Sequence, residues 1–280
     1  MALSIQSNMA SLSIQNQLGR TNDSLSTALE RLGSGFRINS AKDDAAGLQI
    51  ANRLNAQVTG QEAAIYNANN ANSMLQTAEG ALDEMTNIAY RMKELAVQGA
   101  NGTNNASEYT ALNAEYTALS EELTNIMSNT SYGAGTTLLD TTTGKFGSGA
   151  VTFQIGSTAA ETLSVDVSTE MGAIDTAITG LTGLATQADS TTSMAEVDTL
   201  IDNIGAARAS MGATMNRLDH TITNVTNMKE NTQAASSQLM DADFAEETSN
   251  MTKQQLLMNS GISVLSTANS TSSMIGSLLR

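Results

Sequence analysis

Few residues in this chain could do chemistry, and their spacing argues against most of the chemistry they suggest. Asp43 and Asp44 are an adjacent acid pair of the kind that general acid–base catalysis or a cation site would use. They also follow Ser40 at the outset of an apolar-periodic stretch, where a cap and the positive end of a helix dipole favour carboxylates. A capped helix start explains both acids. His220 is the sole histidine and cysteine is absent. A triad therefore has one candidate base, and a two-histidine zinc site within one chain is impossible. Gly144-Lys145 invites a phosphate-loop reading. However, Phe146 stands where Ser or Thr must follow, and Leu139 stands where the motif needs its first glycine. The centre of the chain holds neither a His-Glu-x-x-His helix nor a nucleophile elbow. Glycosylation patterns such as Asn101-Gly-Thr103 are expected by chance in so Asn- and Thr-rich a chain. No catalytic residue, metal site or cofactor is expected, and the chain reads as a protein that is not an enzyme.

Composition points the same way. The 280 residues include no proline, cysteine or tryptophan, with 3% aromatic and 15% charged residues. At about 5% average usage a chain of this size would hold roughly a dozen prolines, so nothing forbids long unbroken helices. Packing must come mainly from Ala, Leu, Ile and Met, and small side chains suit close, extended pairing of helices. Met74, Met85, Met92, Met211 and Met215 read as packing. A net charge of -15 leaves no basic stripe for phosphates, which excludes a general nucleic-acid binder. No membrane span appears, and the first Lys or Arg is Arg20, so no conventional signal peptide is expected. Composition alone suggests the cytoplasm.

The chain is organised around residues 71–96. Ala71, Leu75, Ala78, Leu82, Met85, Ala89, Met92 and Ala96 follow one another at alternating spacings of four and three, the mark of an amphipathic helix with a seam. Ile88 and Leu95 widen it. At ~1.5 Å per residue this stretch is roughly 40 Å long and needs partners of the same period. Tyr109, Leu112, Tyr116, Leu119, Leu123 and Ile126 supply one; Ile201, Ile204, Arg208, Met211, Met215, Leu218, Ile222 and Val225 supply another, with Arg208 the misfit. Arg91 and Glu115, taken alone, are charges on solvated helix faces.

The end segments are weaker. Over residues 5–32, Ile14, Leu18, Leu25, Ala28 and Leu32 form a thin stripe that could not hold a lone helix in water; Ile5, Met9 and Leu12 fit a shifted register. Gly33-Ser-Gly35 breaks this helix, Phe36-Arg-Ile38 reads as an extended spacer, and Ser40 is expected to cap the next helix, which runs towards Gln98 with a candidate interruption near Gly60. Ser107 is the expected cap of the helix after it. Residues 128–193 are rich in Gly, Thr and Ser; Val151, Phe153 and Ile155, then Leu163, Val165 and Val167, alternate with polar residues as a hairpin does. Helix resumes near Met194. An acidic joint at Asp241, Asp243, Glu246 and Glu247 precedes a last helix carrying Leu257, Val264, Leu265, Ala268, Ile275, Leu278 and Leu279.

The expected fold is mainly α: a long helical bundle with paired N- and C-terminal coiled-coil helices and a small central β-hairpin region. Its expected divisions are an N-terminal helical half over 1–42, a bundle over 43–240 with the β-rich segment at about 129–193, and a C-terminal helical half over 241–280.

Five stretches stand out at the two ends: Leu25-Ser-Thr-Ala-Leu-Glu-Arg-Leu-Gly-Ser-Gly35, Ile38-Asn-Ser-Ala-Lys-Asp-Asp-Ala-Ala-Gly-Leu48, Gln76-Thr-Ala-Glu-Gly-Ala-Leu82, Lys93-Glu-Leu-Ala-Val-Gln98 and Leu278-Leu-Arg280. In them both ends of the chain resemble the bacterial flagellins. The resemblance implies a short flagellin without the large outer domains: a subunit that polymerises into the flagellar filament for swimming. It implies export through the flagellar type III apparatus without a cleaved signal, which overrides the cytoplasmic expectation. It also implies end helices that order on assembly, with Ile14, Leu18, Leu25, Leu32, Leu257, Val264, Leu265, Ile275, Leu278 and Leu279 as assembly residues. Implied partners are copies of the chain, the export chaperone on the C-terminal helix, filament cap and junction proteins, and a host Toll-like receptor; neither nucleic acid nor membrane is among them. The receptor contacts map onto Arg91, Leu95 and Glu115, while Tyr90 stands where many receptor-activating flagellins have Gln. The alternatives are a hook-filament junction protein and a membrane-inserting type III translocator.

Overall fold

The computed structural model describes residues 7–133 and 135–278, apart from the side chains of residues 272, 273 and 275–278. Among the described residues six helices and two small hairpins follow in order: α1 (Met9–Ser34), α2 (Ala45–Gly99), α3 (Ala106–Asn129), β1 (Ser131–Tyr132), β2 (Thr136–Thr137), β3 (Val151–Gln154), β4 (Thr162–Val165), α4 (Ser168–Thr179), α5 (Gln187–Met240) and α6 (Phe244–Leu278). They divide into two compact units. One holds the chain through Val58 and from Glu230 onward; the other is Thr59–Lys229. The expected boundaries at 42 and 240 follow the helix breaks, whereas the compact units change within α2 and α5, whose backbones run on without a break.

In Thr59–Lys229 all eight seam residues of α2 are buried, from Ala71 at 2% exposure to Ala96 at 0%, and Ile88 and Leu95 join them. The buried line of α5 differs from the expected one. Leu200, Ile204, Ala207, Met211, Thr214 and Leu218 are buried, while Ile201, Arg208, Met215 and Ile222 flank the line. Arg208 is no misfit there, because from the flank it reaches Glu79 and Asp83 at 3.0 Å each.

Four contacts fix the register of these two helices: Lys93 with Asp198, Arg208 with Asp83, Asn72 with Asp219 and Lys229 with Glu62. Ten, eleven and ten residues back along α2 match ten, eleven and ten forward along α5, about three helical turns a step. The pairing is antiparallel and never slips. Tyr116, Leu123 and Met127 of α3 close the same core.

Local chemistry sets the ends. Ser40 does not cap α2: the Asp43 carboxylate folds back to accept from the Ser40 N–H at 2.9 Å, and Asp44 is the cap, accepting from the Gly47 N–H at 2.9 Å. No break occurs at Gly60, which is helical. Asn105, not Ser107, caps α3, with a reciprocal box in which Glu108 accepts from the Asn105 N–H at 2.7 Å.

The Gly/Thr/Ser centre is more ordered than its composition suggests. The expected hairpin is present, with Val151 opposite Val165 and Phe153 opposite Leu163. A second, two-residue hairpin pairs Ser131 with Thr137. Helix α4 was not expected; it buries Met171, Ile174 and Ile178, a helical spacing. Helix α5 also starts seven residues earlier than Met194, at Gln187.

Candidate assembly and recognition surfaces

The first surface is built by α1 and α6. The Asn8 side chain caps α1 by accepting from the Ser11 N–H at 3.0 Å, and it donates to the Ala268 carbonyl at 3.2 Å. Far along the pair, Arg31 Nη1 donates to Glu247 Oε1 at 2.8 Å. The helices therefore run antiparallel. Between them a Cβ at Gly261 would lie 2.7 Å from Leu18 Cδ2, so any larger residue there would force the Leu18 side chain to move. Beyond α1, Gly35 takes the left-handed conformation at φ 76° and its N–H caps the Arg31 carbonyl. The spacer then pairs with the joint: the Arg37 N–H donates to the Met240 carbonyl at 2.6 Å and the Ala242 N–H to the Gly35 carbonyl at 2.9 Å. The expected acidic joint has a finer structure. Asp243 caps α6 by accepting from the Ala245 N–H at 2.8 Å, while Glu247 turns inward to Arg31.

Ile14, Leu18, Leu257 and Val264 line one apolar groove of about 250 Å³ along this pair. Leu25, Leu32 and Leu265 are half-buried. The side chains of Ile275 and Leu278, and all of Leu279 and Ile5, lie outside the described residues. Leu12, which fits the shifted register, and Ile262, which flanks the last helix's stripe, were not among the expected assembly residues, and sequence reasoning missed Leu29, Phe244 and Leu256 altogether; all five are at least half exposed and sit off the main stripes.

The second surface lies on α2 and α3. Arg91 donates to Glu115 Oε1 through Nε at 2.9 Å and Nη2 at 2.7 Å, and to Glu94 at 2.6 Å. Hydrogen bonds to Glu115 and then Glu94 raise the guanidinium's already high pKa, so Arg91 stays charged. Leu95 departs from the expectation. It is 1% exposed in the seam and has no surface to offer a partner, because its spacing is that of the core. Tyr90 beside Arg91 is 58% exposed.

His220 is exposed. Phe146 is fully buried, and Gly144 packs against the Asp140 backbone with room for no Cβ. Asp140 there accepts from the Thr142 and Thr143 N–H groups at 2.8 and 2.6 Å, so a carboxylate occupies the place where a phosphate loop would cradle an anion. Among the described residues no cluster of His, Asp or Glu suits a metal ion, and no helix is long and apolar enough to cross a membrane.

Long helices stitched at a fixed register, with a pair of chain-end helices left apolar on the outside, define a helical structural protein. Two family descriptions match: the bacterial flagellin N-terminal helical region over residues 5–143 and the bacterial flagellin C-terminal helical region over 194–279. Flagellin of Listeria monocytogenes is 37% identical, with 99% of each chain covered. The crystal structure of Bacillus cereus flagellin is 33% identical, with a TM-score of 0.50 over 61% of this chain and 94% of that one. A putative flagellar hook-associated protein from Vibrio parahaemolyticus shares the fold at 17% identity, with a TM-score of 0.57 over 71% of this chain and all of that one. The chain belongs to the bacterial flagellin family. As such it is a structural subunit of the flagellar filament.

Proposed function

We propose that the subunit polymerises through its α1/α6 pair and acts outside the cell as a swimming filament, with no catalytic activity of its own. The observation that carries this is the helix pair itself. Two chain ends more than two hundred residues apart meet, yet Leu12, Leu29, Leu256, Leu257, Ile262 and Val264 remain about half exposed or more. Burying one such Leu, Ile or Val contributes ~1.5–3 kcal/mol, enough in sum to offset the ordering of the ends. Heterologous contacts whose rotation does not close then continue into a helical tube. Ile14, Leu18, Leu25, Leu32, Leu257, Val264, Leu265, Ile275, Leu278 and Leu279 are the proposed assembly residues.

The proposed partners are further copies, the export chaperone on α6, the flagellar type III apparatus, and the cap and junction proteins. A host Toll-like receptor would meet Arg91 and Glu115, with Leu95 supporting them from beneath. Purified subunit mixed with short filament seeds in a precipitating salt, and imaged by electron microscopy, tests the assembly reading. Long tubes are expected from the intact chain, and none after removal of residues 5–32 or 257–280. A folded intact chain that stops at short caps would refute it and point to a junction protein.

A further inference from the structure

The turn joining α2 to α3 holds Asn101 followed by Gly102, the sequence's sole Asn-Gly pair. Asn101, Gly102 and Thr103 are all exposed. The Thr103 N–H donates to Asn101 Oδ1 at 3.3 Å. This folds the side chain back over the Gly102 peptide and draws electron density from the amide carbon Cγ. The Gly102 N–H, for its part, makes no hydrogen bond among the described residues. A free backbone nitrogen, an activated amide carbon, open water and no side chain at the next residue are the requirements for intramolecular attack.

We propose that Asn101 is a site of spontaneous deamidation. After loss of its proton to hydroxide, Gly102 N forms a bond to Asn101 Cγ. The Cγ–Nδ2 bond breaks, ammonia leaves, and a five-membered succinimide closes. Water then opens this ring at either carbonyl, giving aspartate or isoaspartate; the net change is one water consumed and one ammonia released, with no redox step. The neighbouring Asn104 and Asn105 are each followed by a residue with a side chain, which hinders attack by its nitrogen. Asn104 Nδ2 donates to the Gln98 carbonyl at 2.7 Å, and Asn105 Oδ1 is the cap of α3. The turn itself is anchored on its far side, where Gln187 Nε2 donates to the Ala100 carbonyl at 3.0 Å, so the reacting groups are held in place.

The product places a new negative charge just beyond the last residue of α2, at the negative end of that helix dipole. The isoaspartate form also lengthens the main chain by one carbon between the Asn101 N–H, which donates to Gln98, and the Asn101 carbonyl, which accepts from Asn104. Subunits would thus gain acidity and loosen this turn with age.

The test holds the full-length protein in mildly alkaline buffer at body temperature and follows each asparagine by peptide mapping with mass spectrometry. The same chain unfolded in denaturant and the Gly102→Ala variant run alongside. A Cβ at Gly102 would lie 3.3 Å from Gln187 Nε2, so that side chain must give by a few tenths of an ångström, and an unchanged helical spectrum checks that the fold is kept. Asn101 is expected to convert before every other asparagine, at least as fast in the folded chain as in the unfolded one, and severalfold more slowly in Gly102→Ala. Asn101 staying intact while other asparagines convert, converting only in denaturant, or converting at an unchanged rate in Gly102→Ala would each overturn the assignment.

Discussion

The ion pair between Arg31 and Glu247 gives an asymmetric prediction. The Glu247 side chain is 9% exposed and that of Arg31 30%, so removing one partner does not equal removing the other. In Arg31→Met the carboxylate is left almost dry without its cation, which costs about 3 kcal/mol. In Glu247→Gln the guanidinium keeps an oxygen acceptor and reaches water with its exposed part; only the charge assistance is lost, about 1 kcal/mol. If pairing of α1 with α6 is coupled to assembly, these costs appear in the concentration of soluble subunit that coexists with filament. At tenfold per 1.4 kcal/mol they correspond to increases of roughly 150-fold and fivefold. Replacing both residues by Met removes the charges together and should return the value close to that of the unaltered chain. The assay is sedimentation of seeded filaments and measurement of protein left in the supernatant. Equal effects of the two single changes, or a double change as costly as their sum, would refute the reasoning.

Three further outcomes are expected of the bundle unit. Burial pushes the Tyr116 hydroxyl up to about 12 against an ordinary 10.0. The proton is held more tightly in the folded state, so stability is full below pH 10 and is lost as pH rises towards 12. Tyr116→Phe removes that alkaline loss, roughly 3 kcal/mol by pH-dependent denaturant unfolding, and at neutral pH is neutral or mildly stabilising because the hydroxyl lacks a hydrogen bond. Gln61 is fully buried with both amide atoms unpaired, so Gln61→Met should stabilise by about 1–3 kcal/mol in urea titration. At the acid end, the Thr143 and Thr142 N–H groups hold the Asp140 carboxyl below its ordinary 3.8. Its contribution is present above pH 3.8 and lost as pH falls through the folded value; Asp140→Asn should flatten that part of the acid melting curve measured by circular dichroism.

The α2 seam was fully legible, because a buried helix face imposes one spacing on apolar residues and α2 has no competing stripe. On α5 the same logic chose Arg208, Ile201, Met215 and Ile222, one residue off the buried line, since flanking positions are also apolar and Ala207 and Thr214 are weak signals. Capping was legible in kind and shifted in place: the stretches around Ser40 and Ser107 do hold caps, but Asp44 and Asn105 provide them, because Asp43 is already taken by a turn. Helix α4 was hidden by Thr and Gly composition despite Met171, Ile174 and Ile178. Pattern placed Leu95 in the seam while resemblance placed it in a receptor contact; its 1% exposure sides with the pattern. The pairing of Arg31 with Glu247, two charges 216 residues apart, had no local signature at all.

That separation governs the order in which the molecule can be made. Helix α1 leaves the ribosome more than two hundred residues ahead of the groups it needs, from Glu247 to the Ala268 carbonyl. A growing chain therefore carries an α1 with no mate, and its thin stripe cannot hold a lone helix in water. The segment between the ends can act sooner: Thr59–Lys229 contains all its own core, and its collapse shortens the loop that the ends must later close. Closure of the terminal pair thus becomes the slow, non-local step of the fold, leaving an interval in which a finished chain still has free ends.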